Sequence, residues 1–228
     1  MTTINPILLV VIAFLVFVAL IVPISGKILN HFITVVHEMG HAVTTLLLGG
    51  RVGAIRVEMN GSGSTTSGHP VTSGYKLARI STLLSGYSFP VYLGLGLVAA
   101  SILQNQWLSL ILLGVVCFLS LLFIRNLFGF IIIVLFSSAS FLPLLVPNLT
   151  YSYVSFALGL ILFFGGLKDI LLITRAMFSS HLQSSESDFD LLQTETHIHR
   201  AIWVIIFFCV QILAIAGVAF LASQLLMS

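Results

Sequence analysis

Residues 28–48 read ILNHFITVVHEMGHAVTTLLL, an apolar stretch of helix length that carries His37-Glu38-Met39-Gly40-His41 near its middle. A stretch of this length is sufficient to cross a hydrocarbon core about 30 Å thick. On a helix, His37 and His41 project from the same face, because residues four apart lie one turn above each other. The stretch therefore predicts a membrane-spanning helix with a buried ionisable cluster. Such a cluster is costly in lipid and marks a functional site.

The rest of the chain has the same apolar character. Of its 228 residues, 58% are hydrophobic and only 7% are charged, whereas a soluble domain carries about 25% charged residues. Long continuous runs of Leu, Ile, Val and Phe contradict the alternating strands of a membrane barrel. A net charge of +2 is too small to indicate a nucleic-acid partner. The composition predicts an all-α polytopic membrane protein in contact with a lipid bilayer.

Seven apolar runs separated by turn signals predict about seven transmembrane helices in a single domain, residues 1–228. The runs cover residues 4–22, 28–48, 77–103, 107–124, 127–146, 151–174 and 202–226. With this count, all but one of the basic residues outside the runs or at their ends fall on one side. The positive-inside rule assigns that side to the cytoplasm. The N-terminus is thus predicted to be cytoplasmic and the C-terminus to lie on the opposite side.

Two segments are not apolar, residues 48–76 and 175–200, and both are predicted to be cytoplasmic. The first begins with a strand-like alternation at residues 51–59 and continues into a Gly/Ser/Thr turn, which predicts a small β-hairpin after the second helix. An edge strand that includes Arg51 and Val52 is a candidate for capturing an unwound substrate by strand addition. The alternative is a hairpin that only covers the mouth of the site.

The HExxH spacing suits one zinc ion, which favours nitrogen and sulfur ligands in a tetrahedral site. Glu38 is then placed to act as general base toward a water activated by the zinc. A catalytic zinc needs a third protein ligand, and the candidates are Asp169 and Asp188. The position of Asp169 near the cytoplasmic end of the sixth run favours it, although it could instead form an interfacial ion pair. For Asp188, which lies in the polar segment before the last run, the alternative is an ordinary solvated carboxylate.

Three further features have both a functional and a structural interpretation. Asn126 could hydrogen-bond a substrate backbone or cap a helix end. Gly86 lies among small residues that could line a substrate path or allow close helix packing. His197 and His199, together with His181, raise the question of a second metal site, although histidines in a polar segment are usually just solvated.

The HExxH motif and several shorter blocks together resemble the site-2-protease-type intramembrane zinc metallopeptidases, most closely a compact branch with little beyond the membrane core. The similarity runs from about residue 32 to residue 203. The blocks are HEMGHAV at 37–43, GGRV at 49–52, SGY at 85–87, RNLFG at 125–129, and Ser187-Asp188, Leu192, Thr196, Ile198 and Trp203.

The resemblance implies a zinc held by two histidines and an aspartate, and cleavage of peptide bonds in or near a membrane span of a protein or peptide substrate. The better-known branch takes its third ligand from an Asn-Pro…Leu-Asp-Gly signature, which this chain lacks, so both Asp169 and Asp188 remain candidates. Two other classes are a non-catalytic zinc-binding scaffold or degenerate homologue that binds partner helices, and a transporter or channel. The intact Glu38 argues against the scaffold. The absence of an internal sequence repeat argues against the transporter. No oligomeric state is assigned.

Overall fold

The structure, a computed structural model, describes residues 5–71, 74–145, 150–178 and 187–227, and within these ranges it contains nine helices and one β-hairpin. In chain order the elements are α1 Pro6–Ile21, α2 Pro23–Leu47, β1 Arg51–Val57, β2 Gly63–Gly68, α3 Tyr75–Ile102, α4 Gln106–Phe123, α5 Leu127–Ala139, α6 Leu142–Leu145, α7 Tyr151–Phe178, α8 Asp188–Thr196 and α9 Arg200–Met227.

A sharp bend of 97° separates α1 from α2. The cause is local, because Pro23 lacks an N–H and disfavours a helical conformation at the residue before it. Val22 accordingly has extended backbone angles, φ −63° and ψ 127°. The bend turns the start of α2 away from α1 and leads it into the helix bundle, where the motif lies.

The predicted number of seven spans is not confirmed. Among the described residues, three helices are long and apolar enough to cross a membrane, or up to five if each of two bent helix pairs forms one span. The three are α3, α4 and the Tyr151–Leu172 part of α7. The fifth predicted run is interrupted, since α5 ends at Ala139 and the short α6 follows it. Large apolar side chains such as Ile7 and Trp107 are about 70% exposed, which fits a lipid-facing surface.

The predicted hairpin is present as an antiparallel pair that runs from Val57 opposite Gly63 to Arg51 opposite Gly68. Ile55 and Val57 are fully buried in a cluster with residues of α2, α4 and α5, which anchors β1 to the helices. The tract read from sequence as a turn forms the second strand, β2. The hairpin is therefore part of the packed domain.

The helix α3 occupies the centre of the bundle and packs against α2 and α7. It passes close to α7 at Gly94, where an added Cβ would lie 2.6 Å from the carbonyl oxygen of Gly159. Small residues at such a crossing allow two helix backbones to approach closely. This packing brings the motif face of α2, the middle of α3 and the part of α7 around Asp169 to one interior space.

Candidate metal centre

The two motif histidines lie on the inner face of α2 with their rings close together. Their centroids are 4.8 Å apart, and the two Nε2 atoms are 3.1 Å apart. His41 is buried, and its Nδ1 lies 2.7 Å from the backbone carbonyl oxygen of Thr82. Because a carbonyl can only accept, Nδ1 carries the proton, and the Nε2 lone pair of His41 points toward His37. A bond of this kind commonly fixes the tautomer and orientation of a metal-binding histidine.

Asp188 is the first residue of α8, and its side chain lies against both histidines. Its Oδ2 atom lies 3.1 Å from Nε2 of His37 and 3.3 Å from Nε2 of His41. In a tetrahedral zinc site with bonds of about 2.0–2.1 Å, neighbouring ligand atoms lie about 3.3 Å apart. The three atoms thus have the spacing of one face of such a tetrahedron.

The chemistry of this atom set also fits a metal ion. Within the described residues, Oδ2 of Asp188 is buried and has no hydrogen-bond donor in suitable geometry. An acceptor oxygen facing the lone pair of His41 is unfavourable unless a cation lies between them. His37, His41 and Asp188 are the one group of three potential metal ligands found in the described part of the chain.

Packing and charge pairs hold α8 where Asp188 meets the histidines. Ser187 and Asp190 form a capping box at the start of α8, in which each side chain accepts from the N–H of the other residue. Phe189 is fully buried and stacks on Tyr87 of α3 at 5.0 Å between ring centroids. Two ion pairs then fix α8 to the neighbouring helices, Arg79 with Glu195 and Arg200 with Asp190.

Asp169, the ligand favoured from sequence, has a different position. It lies on α7 and lines the same cavity, but it is not one of the three grouped ligands. The preference rested on its depth along one helix. The structure instead brings Asp188 over the histidines because α8 folds back onto α3 and packs beside Ile170 of α7. The geometry therefore favours Asp188.

Glu38, between the two histidines in sequence, faces the hairpin. The Thr65 hydroxyl donates to Oε2 of Glu38 at 2.7 Å. The other carboxylate oxygen, Oε1, lies beside Gly63, where an added Cβ would be only 2.5 Å away. These contacts from β2 were not predicted, since a Gly/Ser/Thr tract is typical of turns. The only available signal was the pair of β-branched residues Thr65-Thr66 within that tract.

Gly86 lies directly against the imidazole rings of both motif histidines. A Cβ at this position would lie 2.5 Å from Nε2 of His41 and 2.7 Å from Nε2 of His37. The absence of a side chain lets α3 pass directly against the two imidazoles. Gly86 thus provides space for the ligand triangle.

A cavity of about 530 Å³ opens in front of these groups. Its walls come from α2, the turn and second strand of the hairpin, α3, α7 and α8. Serine and threonine side chains from β2 make the hairpin wall polar, whereas Leu83 and Leu191 contribute apolar surface. The space is large enough for a short peptide segment beside His37 and Glu38.

Three residues predicted to bind substrate, Asn126, Arg51 and Val52, are not among the described residues that line the cavity. Asn126 bonds both backbone groups of Val57, accepting from its N–H at 3.2 Å and donating to its carbonyl oxygen at 2.6 Å. Arg51 is exposed and Val52 packs beside a buried cluster, and neither is among the described residues that line the cavity. Asn126 therefore fixes the hairpin to the start of α5.

The histidines considered for a second metal site are separate from the centre. His197 and His199 lie where α8 turns into α9, and they join no group of three potential ligands in ranges 5–71, 74–145, 150–178 and 187–227. His181 lies outside the described residues. The part of the chain that the structure describes therefore offers no support for a second metal site.

A comparison with known protein families found a match. A family model described as Peptidase M50B-like matches residues 7–218, a range that includes His37, Glu38, His41 and Asp188. Neither the curated proteins nor the solved structures compared with the chain gave a match.

Proposed function

Since the chain belongs to the Peptidase M50B-like family, the family of the site-2 proteases, we propose that it is an intramembrane zinc metalloendopeptidase. The observation that carries the proposal is the triangle of Nε2 of His37, Nε2 of His41 and Oδ2 of Asp188, with sides of 3.1–3.3 Å. Three protein ligands with one open position are typical of catalytic zinc, whereas structural zinc usually has four. The open position faces a cavity that also contains Glu38.

When bound there, zinc would act as a Lewis acid that lowers the pKa of water to about 7 and polarises a carbonyl. Glu38 accepts the proton of the water that adds to the scissile carbonyl carbon. It then delivers that proton to the amide nitrogen as the carbon–nitrogen bond breaks, so that a carboxylic acid and an amine result. Glu38 is only 6% exposed, and burial strengthens the electrostatic interactions of its carboxylate.

The hairpin supports an extended mode of substrate binding, although on a different strand from the one expected. The outer edge of β1 is partly occupied, since the N–H of Arg125 donates to the carbonyl oxygen of Ile55 at 3.0 Å and Asn126 holds Val57. No described strand pairs with the other edge of β2, and the side chains of Ser64, Thr65 and Ser67 on this strand line the cavity. An unwound substrate segment could therefore pair with β2 and present its backbone to Glu38.

The experiment compares wild type with Glu38→Gln on a library of labelled membrane-helix peptides, with zinc-loaded protein in bilayer discs. We expect the variant to bind zinc equally but to cleave about 10²- to 10⁴-fold more slowly, the usual contribution of a general base. Glu58→Gln, in the exposed hairpin turn, is the matched control and should cleave like wild type. Equal cleavage by wild type and Glu38→Gln would contradict the proposal and favour a zinc-binding scaffold.

A further inference from the structure

Two residues on one face of β2 contact the carboxylate of Glu38. Residues two apart on a strand point to the same side, so Gly63 and Thr65 both face α2. The Thr65 hydroxyl lies 2.7 Å from Oε2 and 3.1 Å from the backbone carbonyl oxygen of Glu38. A hydroxyl has a single proton to donate. The shorter distance and the negative charge of the carboxylate favour Oε2 as its acceptor.

Gly63 leaves space for the second carboxylate oxygen of Glu38, Oε1. A Cβ there would lie 2.5 Å from Oε1 and 2.8 Å from Cγ of Glu38, so any larger residue would displace the carboxylate. The strand thus offers one donor, at Thr65, and one space without a side chain, at Gly63. Together they hold Oε2 and leave space beside Oε1 on the side of Gly63.

The hairpin is also fixed to α2, so the donor has a defined position relative to Glu38. At the turn, the Thr34 hydroxyl lies 3.1 Å from the carbonyl oxygen of Gly61, and a His31 ring nitrogen lies 3.2 Å from that of Met59. Both Thr34 and His31 are buried on α2. Since Thr34 and Glu38 are one helical turn apart, the turn and the donor strand are attached to the same face of one helix.

We propose that Thr65 is a positioning residue for the general base Glu38, an inference that rests on the proposed function. A glutamate side chain has three rotatable bonds and, unless it is held, distributes its carboxylate over several orientations. The bond from Thr65 selects the orientation in which Oε1 is free to take a proton. Supporting groups of this kind typically contribute about 10- to 100-fold to activity.

The kinetic test uses Thr65→Val, which keeps the size and β-branching but removes the hydroxyl, with Thr65→Ser as the conservative variant. Thr66→Val is the matched control, because Thr66 is exposed on the opposite face of β2. We expect Thr65→Val to lower kcat by about 10- to 100-fold with little change in KM and zinc content, and Thr65→Ser to recover most of kcat. In a Glu38→Gln background the Thr65→Val change should have no further effect. A Thr65→Val enzyme with normal kcat, or with a raised KM alone, would overturn the inference.

A second measurement does not depend on cleavage. The chain has only seven Asp and Glu residues, so the carboxylate stretching band of Glu38 can be assigned in the infrared as the band that Glu38→Gln removes. We expect this band to shift in Thr65→Val but not in Thr66→Val or Thr65→Ser. An unshifted band in Thr65→Val would overturn the inference by showing that the bond is absent. A wild type that cleaves nothing would instead refute the proposed function, and the infrared comparison would then decide the contact by itself.

Discussion

Replacing Gly86 with alanine tests whether α3 passes as closely to the metal centre as the structure indicates. The new methyl group would lie 2.5 Å from both Cε1 and Nε2 of His41, and 2.7 Å from Nε2 of His37. Favourable contacts lie at about 3.5–4.0 Å, so the overlap is about 1 Å with two rings at once. Neither ring can yield easily, because His41 is held by its bond to Thr82 and both belong to the ligand triangle.

Overpacking of this kind costs about 1–3 kcal/mol, and the strain is relieved when the imidazoles leave their ligand positions. If that cost falls on metal binding, zinc affinity decreases by about 5- to 150-fold. The assay is competition for zinc with a chromophoric chelator, performed on purified protein whose helical content is checked by circular dichroism. Gly96→Ala, in the same helix, is the control, since its methyl would meet only the flexible end of Leu112 at 3.3 Å. If Gly86→Ala bound zinc as tightly as Gly96→Ala, the close approach of α3 to the histidines would be refuted.

Three further predictions concern the elements that hold the site together. Gly63→Ala should lower kcat by about 10-fold or more without loss of zinc, because the new methyl displaces the carboxylate of Glu38. Gly68→Ala is the control and should leave kcat unchanged, since its methyl would meet nothing within 4 Å. Steady-state kinetics and metal analysis distinguish these outcomes. Asn126→Ala should destabilise the protein by about 1–3 kcal/mol, since it leaves two backbone groups of β1 without their partner, and an unchanged thermal midpoint would contradict this. Arg79→Gln and Glu195→Gln should each weaken zinc binding by less than about fivefold, because the ion pair between these two residues is partly exposed. The double variant should bind zinc only slightly more weakly than either single variant. Fully additive losses of zinc affinity would show that the ion pair does not act on α8.

The parts of the site that follow from local geometry could be predicted from sequence. His37 and His41 are four residues apart on one helix, so their convergence depends only on the helical period. The first hairpin strand was also predictable, since residues 51–59 alternate in polarity. In both cases the information lies within a few residues of the feature that it determines.

Features that depend on tertiary packing could not be predicted in the same way. Asp188 reaches the histidines because α8 folds back over α3, and the sequence between α7 and α8 does not indicate this return. Asn126 was identified as a notable polar residue, but its partner Val57 is 69 positions earlier in the chain. The second strand, β2, has a turn-like composition and takes its extended form through pairing with β1.

The predicted number of seven spans was not confirmed for a related reason. A hydropathy pattern measures apolar length, and it does not report a 97° bend at Pro23 or the interruption after Ala139. Both features shorten or redirect apolar runs that look sufficient to cross a membrane. The orientation of the termini was derived from the same count of seven, so it stays a prediction.

The most direct test of a zinc centre formed by His37, His41 and Asp188 is the zinc content of purified wild type, Asp188→Ala and Asp169→Ala. Circular dichroism should first establish that all three proteins are folded. We expect about one zinc per chain in wild type and in Asp169→Ala, and no retained zinc in Asp188→Ala, because two histidines alone leave the site a ligand short. Zinc retained by Asp188→Ala but lost by Asp169→Ala, or folded wild type that binds no zinc, would contradict the account.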